Sequence, residues 1–257
     1  MSRTQVEKHR QKNPVTVRLN RYLANAGIAA RRKCDTLIFD GQVQVNGEVV
    51  MEPGRQVDPA KDLVRVGKKE IQPQQEIVVY KVNKPRGVVA TAQDEHGRRQ
   101  VVDLVPKDLR VFPVGRLDYD SSGLILLTND GDLAHRLTHP RYEVHKVYKV
   151  RLAKDITNMD LERLQKGVSI GKGESVAAEV TRVVNTRNRI LVTIHEGRNR
   201  QIRRMVEAIG HSVKALERIA IADMKLGKLP RGEYRLLSLK EYNRLRKSVG
   251  LKELAGS

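Results

Sequence analysis

A short polar run, Gln72-Pro73-Gln74-Gln75, divides the chain into two blocks of different patterning. A proline flanked by glutamines offers nothing to a core and interrupts any regular element, so each side must bury its own apolar residues. At 257 residues the chain has room for a small unit and a medium one. Four blocks follow. Residues 1–14 form a basic flexible arm, with four Lys/Arg against one Glu, and end at Pro14. Residues 15–75 form the small domain, residues 76–246 the large one, and residues 247–257 a C-terminal tail.

In the small block, "VRLNRYLANAGIAARRKCDTLIFDG" predicts two short helices. Leu19, Tyr22, Leu23 and Ala26 fall at helical spacing, and Gly27 ends the first. The second presents Cys34, Leu37 and Ile38 on one face and stops at Gly41. "QVQVNGEVV" alternates around Asn46-Gly47, a pattern that predicts a tight hairpin. "DLVRVGKKEI" predicts a further strand and turn. Arg31, Arg32 and Lys33 stand where the second helix begins. Cations there oppose the helix dipole, so they suit phosphate contacts better than helix stability, and Arg18 and Arg21 extend the patch.

The large block interleaves strand and helix signals without a βαβ repeat. "IVVYKVNKP" reads as a buried strand, "KVYKVRL" and "RILVTIHEG" alternate, and "QIRRMVEAIG" reads as a helix closed by Gly210. The expected class is α+β, with a mixed, mostly antiparallel sheet flanked by helices.

Charge narrows the function. Lys and Arg number 49 against 30 Asp and Glu, a net +19, and residues 76–257 alone carry +13. Such an excess far exceeds what solubility needs and calls for a polyanion, so both blocks should touch nucleic acid. A membrane surface is the rival, but no amphipathic helix with bulky aromatics is present. The longest apolar run is Leu124-Ile125-Leu126-Leu127, far too short to span a bilayer, and the first residues lack an apolar signal core. Cys34 is the single cysteine, and no Cys/His group has metal-ligand spacing, so no metal site is expected and the reducing cytoplasm is the expected compartment.

The richest chemistry lies in "FPVGRLDYDSSGLILLTNDGDLAHRLTHP", residues 112–140. Asp118 follows an apolar run beside a cation, where a carboxylate can act as nucleophile or base. A carboxylate near a turn also serves as a cap, and Asp120, Asp130 and Asp132 are read that way. His139 and His195 stand isolated and are assigned no catalysis.

Two family resemblances bear on these residues. "VRLNRYLANAGIAARRKCDTLIFDGQVQVNGEVV" closely resembles the RNA-binding module first described in ribosomal protein S-four. That resemblance implies docking on structured RNA through shape and phosphates. "GRLDYDSSGLILLTNDG" is similar to the signature of the pseudouridine synthases related to the small-subunit uridine-516 enzyme, and "NKPRGVV", "EVHKVYKVRL", "EGRNRQIRRMVEAIG" and "LPRGEYRLL" resemble that family's remaining blocks in order. The resemblance implies isomerisation of a uridine in ribosomal RNA, with base flipping and no cofactor. It places the catalytic carboxylate at Asp118, an active-site tyrosine at Tyr148 and the basic partner of the carboxylate at Arg203. Ile202 becomes an apolar wall of the base pocket, and Arg116 a residue that fills the flipped base's gap or holds phosphate. Arg198 and Arg200, in the preceding loop, become phosphate contacts. Arg203 and Arg204 are adjacent, so only one can face the pocket, and the motif selects Arg203.

The segments "KPRGVVAT", "EGRNRQIRRM" and "LPRGEYR" look most like the large-subunit branch, which implies 23S rRNA as partner, in a stem-loop and within a pre-ribosomal particle or as naked RNA. A 16S target is the alternative, as is a binding-only ribosome-assembly factor, although the latter has no need of the Asp, Tyr and Arg trio. A monomer is expected.

Overall fold

A computed structural model describes residues 16–72, 76–92, 94–171 and 173–254. The basic arm expected over 1–14 lies outside the described residues. The chain divides into two compact units, Met1–Glu76 and Ile77–Ser257.

The first unit holds α1 (Leu19–Asn25), α2 (Arg31–Phe39) and six short strands: β1 (Val17–Arg18), β2 (Val43–Val45), β3 (Glu48–Val49), β4 (Gln56–Val57), β5 (Val64–Val66) and β6 (Lys69–Ile71). Strands pair in the order β3-β2-β5-β6, and β1 pairs with β4. Asn46 and Gly47 both take positive φ, 54° and 88°, which is what a two-residue turn between β2 and β3 demands. Leu19, Leu23, Cys34 and Ile38 meet Val43, Val57 and Val64 in one small core. Tyr22 joins them and donates its hydroxyl to the Ile71 carbonyl at 2.8 Å. Neither helix has a side-chain cap or an acidic first turn, so packing rather than capping holds them.

The second unit is built on one sheet. Its strands are β7 (Val79–Lys84), β8 (Phe112–Pro113), β9 (Ser122–Thr128), β10 (Lys146–Leu152), β13 (Glu179–Arg182), β14 (Arg189–Ile194), β15 (Val213–Ile221), β16 (Met224–Lys225) and β17 (Tyr234–Leu236), while β11 (Val168–Ser169) and β12 (Ser175–Val176) form a separate hairpin. The order is β13-β14-β10-β15-β9-β7-β17, with β8 added to β9 and β16 to β15. Among the described strands of this sheet, every pairing is antiparallel except β15 with β9.

Four helices cover the sheet: α3 (Gly131–Thr138), α4 (Asn158–Lys166), α5 (Gln201–Ala208) and α6 (Leu239–Ser248). β9 is buried along its whole length. Ile125 and Leu127 pack into one core with Leu164 of α4 and Met205 and Val206 of α5, whereas Leu124 and Leu126 pack into a second with Leu133 of α3 and Leu245 of α6. The four-residue apolar run is therefore a central strand covered on both faces.

The last described residues are not a free tail. Asn243 brackets Leu254 through two hydrogen bonds of 2.9 Å, Arg246 Nε donates to the Lys252 carbonyl at 2.7 Å, and Val249 is buried in the second core. The boundary expected at 246 moves because α6 runs to Ser248 and the chain after it folds back over apolar surface. Asp130 caps α3 by accepting from the N–H groups of Asp132 and Leu133, and its other oxygen takes the Tyr242 hydroxyl at 2.6 Å and the Arg246 guanidinium at 2.7 Å. One carboxylate thus joins α3 to α6.

β9 meets β15 at the pairs Ser122–Glu217 and Gly123–Arg218. Gly123 has φ +108°, and a Cβ there would collide with the Arg218 carbonyl oxygen and lie 2.6 Å from its nitrogen. Gly123→Ala is therefore expected to lower unfolding free energy by at least ~3 kcal/mol in urea titrations. Gly47→Ala, at a positive φ but with open space around it, should cost only about 1–2 kcal/mol. Equal losses would mean that the strand contact is not the constraint described.

Candidate active site

The loop before β9 carries Arg116, Leu117, Asp118 and Asp120, and hydrogen bonds to its carbonyls shape it. Gly87 N donates to the Tyr119 carbonyl at 2.9 Å, Arg86 Nε to the Asp120 carbonyl at 2.9 Å, Arg218 Nη1 to the Arg116 carbonyl at 3.3 Å, and Ser121 N closes onto the Asp118 carbonyl at 3.1 Å. The Asp118 side chain is 31% exposed, so it opens to solvent without being free of the protein.

Two cavities meet at this loop. One, of about 190 Å³, is lined by Asp118, Arg116, Leu117 and Ser121 of the loop, Tyr148 of β10, Ile202 of α5, and Ile194 and Leu216. The other, of about 650 Å³, shares Arg116, Leu117, Asp118, Asn199 and Arg200 and runs on past Val89, Thr91 and Tyr119. Asp118 borders both.

Arg203 reaches the loop from α5 and is 6% exposed. Its Nε lies 3.9 Å from Asp118 Oδ2, and its Nη2 lies 3.0 Å from Asp120 Oδ2. The tighter partner is Asp120, whose other oxygen sits 3.4 Å from Arg200 Nη1. Asp120 does lie in a turn, the one that Ser121 N closes onto the Asp118 carbonyl, but its carboxylate, instead of capping the backbone, neutralises two arginines beside the cleft. Arg203 Nε is buried and has no hydrogen-bond partner among the described residues. Burial pulls the Arg203 guanidinium below its ordinary range, Asp120 and then Asp118 opposing the fall. Arg204 turns to the other side of α5, toward the Ile170 carbonyl at 3.0 Å and Glu174 at 3.7 Å.

The other expected residues fall in different settings. Arg116 is exposed at the rim of both cavities. Arg198 is held by Glu196 at 3.0 Å and Glu174 at 3.4 Å, so its charge is already matched. Arg200 begins α5 in a left-handed conformation, φ 48°. In the first unit, Arg31, Arg32 and Lys33 form the exposed first turn of α2, Arg18 is exposed before α1, and Arg21 is half-buried on α1.

Lys84 and Arg218 are among the buried cations not singled out from sequence. Lys84, at the end of β7, is fully buried and donates to the Pro85 and Val88 carbonyls at 3.0 and 2.7 Å. Burial pushes its ammonium down to about 8, while Asp118 and Asp120 pull the other way. Arg218, on β15, is 3% exposed and donates from Nε to the Leu124 carbonyl at 2.7 Å. Each sits where a strand pattern calls for an apolar residue, and that break in pattern is the signal that could have found them. Lys146 is pushed down to about 8, by burial and then by Arg218. Among the described residues, no group of three or more His, Cys, Asp or Glu is placed to hold a metal ion, and no helix is long and apolar enough to cross a membrane.

Comparison with known proteins matches two families: RNA pseudouridylate synthase over residues 78–208 and the S4 domain over residues 17–64. Ribosomal large subunit pseudouridine synthase B of Bacillus subtilis is 42% identical over 89% of this chain and 95% of its own length. Dual-specificity RNA pseudouridine synthase RluF of Escherichia coli is 40% identical over 87% of this chain and 76% of its own. A crystal structure of a pseudouridylate synthase superposes with a TM-score of 0.65 at 30% identity, covering 89% of this chain and 99% of that one.

Burial of Lys84 has a thermodynamic consequence. Between about 8 and the ordinary lysine value of 10.5 the unfolded chain binds a proton that the native protein lacks, so this residue makes stability rise with pH across that window. Urea midpoints at pH 8 and pH 10 should diverge between the parent and Lys84→Met, the parent gaining the more on going alkaline. Parallel shifts would mean that Lys84 is not held as described.

Proposed function

The chain belongs to the RNA pseudouridylate synthase family, and on that premise we propose that it isomerises one uridine of 23S ribosomal RNA to pseudouridine, with Asp118 as the catalytic carboxylate. The observation that carries the reading is the cleft itself. A partly exposed carboxylate borders a small cavity walled by Tyr148, Ile202, Ile194 and Leu216, and a buried guanidinium lies behind it.

The reaction breaks the bond between ribose C1′ and uracil N1, turns the base and rejoins C1′ to C5. Neither bond is reachable within a stacked helix, so the uridine must flip into the cleft. Asp118 then faces the anomeric carbon, where the bond breaks. Arg203 keeps the carboxylate ionised and oriented, and closing the 3.9 Å gap would satisfy its unpartnered Nε. Tyr148 stacks on the uracil and serves as base for the C5 proton. Ile202 closes the apolar wall. Arg116, exposed at the rim, takes the phosphate or fills the gap left in the RNA. Arg198 and Arg200 contact phosphate only by exchanging carboxylate partners, so they rank behind Arg116.

The large-subunit target is supported by the name of the Bacillus subtilis relative; the Escherichia coli relative, named as dual-specificity, makes 16S rRNA the runner-up. The protein acts as a monomer in the cytoplasm, on a stem-loop. Arg18, Arg21, Arg31, Arg32 and Lys33 hold RNA phosphates, a role best suited to Arg31, Arg32 and Lys33, exposed cations on the uncapped start of α2.

Chemical mapping of pseudouridine on both rRNAs tests the proposal, in cells lacking this protein and complemented with the parent or Asp118→Ala. One 23S uridine should lose the mark, and only the parent should restore it. Restoration by Asp118→Ala removes Asp118 from catalysis. No lost site on either RNA favours the binding-only factor.

Affinity for an rRNA fragment should fall steeply with salt. Replacing Arg31, Arg32 and Lys33 by Gln should reduce the slope of log K against log salt by about 2–3, at roughly 0.7–0.9 per phosphate contact. An unchanged slope places the RNA elsewhere on the protein.

A further inference from the structure

Arg218 is a buried cation with no carboxylate paired to it among the described residues. Leu216, two positions before it, shares its strand face and gives that face an apolar character. A guanidinium so placed needs acceptors, and it has three from different elements. Nε donates to the Leu124 carbonyl of β9 at 2.7 Å, and Nη1 donates to the Arg116 carbonyl at 3.3 Å and to Tyr148 Oη of β10 at 3.5 Å. Nη2 is buried with no hydrogen-bond partner among the described residues.

The backbone is shaped to deliver it. Against β10, Val147 faces Ala220 but Tyr148 faces Arg218, so Ile219 is an extra residue in β15. A bulge of this kind bends a strand and re-aims the neighbouring side chain. On the other edge, Gly123 lets β9 close onto the Arg218 backbone.

We infer that Arg218 is a positioning residue for the isomerisation, holding the Tyr148 hydroxyl and the Asp118 loop in one frame and orienting the phenol for proton transfer at the uracil. The inference rests on the reading of the cleft given above. A guanidinium can only donate, so the phenol oxygen accepts from it, and the phenol's own hydrogen is left to point away from Arg218. Isomerisation moves one proton overall: the C5–H bond breaks and an N1–H bond forms. Tyr148 can relay it by releasing its own proton to N1 and then taking the C5 proton on the phenolate Oη, with no net gain. Negative charge appearing on Oη during the exchange meets a fixed cation that needs no reorganisation. The bond to the Arg116 carbonyl, two residues before Asp118, ties the carboxylate to the same frame.

The test is single-turnover kinetics on an rRNA fragment carrying the target uridine, with hydrogen or deuterium at C5, for the parent, Arg218→Met and Arg218→Lys. Arg218→Met should slow pseudouridine formation about 10–100-fold with RNA affinity unchanged within about 2-fold. The C5 isotope effect should exceed that of the parent, because proton removal becomes limiting. Arg218→Lys should recover part of the rate. An isotope effect equal to the parent's, or an affinity loss matching the rate loss, overturns the inference in favour of a role in folding or RNA binding. If melting curves show that Arg218→Met does not fold, Arg218→Lys is judged by the same two criteria. Turnover by the parent in this assay reports on the pseudouridine reading itself, so the two failures are separable.

Discussion

The contact between β9 and β15 is the constraint on which the second unit depends. Among the described residues it is the one parallel strand pairing in the large sheet, it spans two residue pairs, and it is possible because Gly123 has no side chain. Through it the strand that follows Asp118 comes to lie beside the strand that carries Arg218. The Leu124 carbonyl then accepts from the Arg218 guanidinium, and the same guanidinium reaches the Asp118 loop and Tyr148. Separating these strands would disperse the cleft as well as weaken the sheet.

Electrostatics follows from that geometry. Lys84, Arg203 and Arg218 are all buried near a loop that offers the two carboxylates Asp118 and Asp120. Buried charge is tolerated when hydrogen bonds replace water, and here backbone carbonyls do much of that work for Lys84 and Arg218. Asp120 takes the closer ion pair with Arg203, which leaves Asp118 partly open to the cleft. That division of labour between two carboxylates fits the proposed chemistry, in which one must reach a ribose while the other holds the arginine in place. Outside the cleft, the net charge of +19 supplies the long-range attraction that an RNA substrate requires.

Much of the local structure is legible in the chain. Asn46-Gly47 leads to a hairpin because few residues adopt left-handed backbone at two successive positions. The spacing of Leu19, Tyr22 and Leu23, or of Cys34 and Ile38, leads to helices because side chains three and four apart share a face. The run Leu124–Leu127 reads as a buried strand, and the signature around Asp118 points to its family before any coordinate is known. Periodicity says which face of an element is buried and does not say what lies against it. That is why the turn at Asp120 was legible but its two arginine partners were not, and why the chain after residue 246 looked like a tail.

The sequence by itself therefore determined the two-unit division, most of the strands and helices, the basic surface and the family. Only the tertiary structure decided that Arg203 turns toward the cleft while Arg204 turns toward Ile170, that Asp120 holds Arg203 more tightly than Asp118 does, and that Arg218 joins residues 70 to 102 positions away. The reason is physical: helix and strand periods act over a few residues, whereas a buried ion finds its partners only after the sheet order has brought distant strands together.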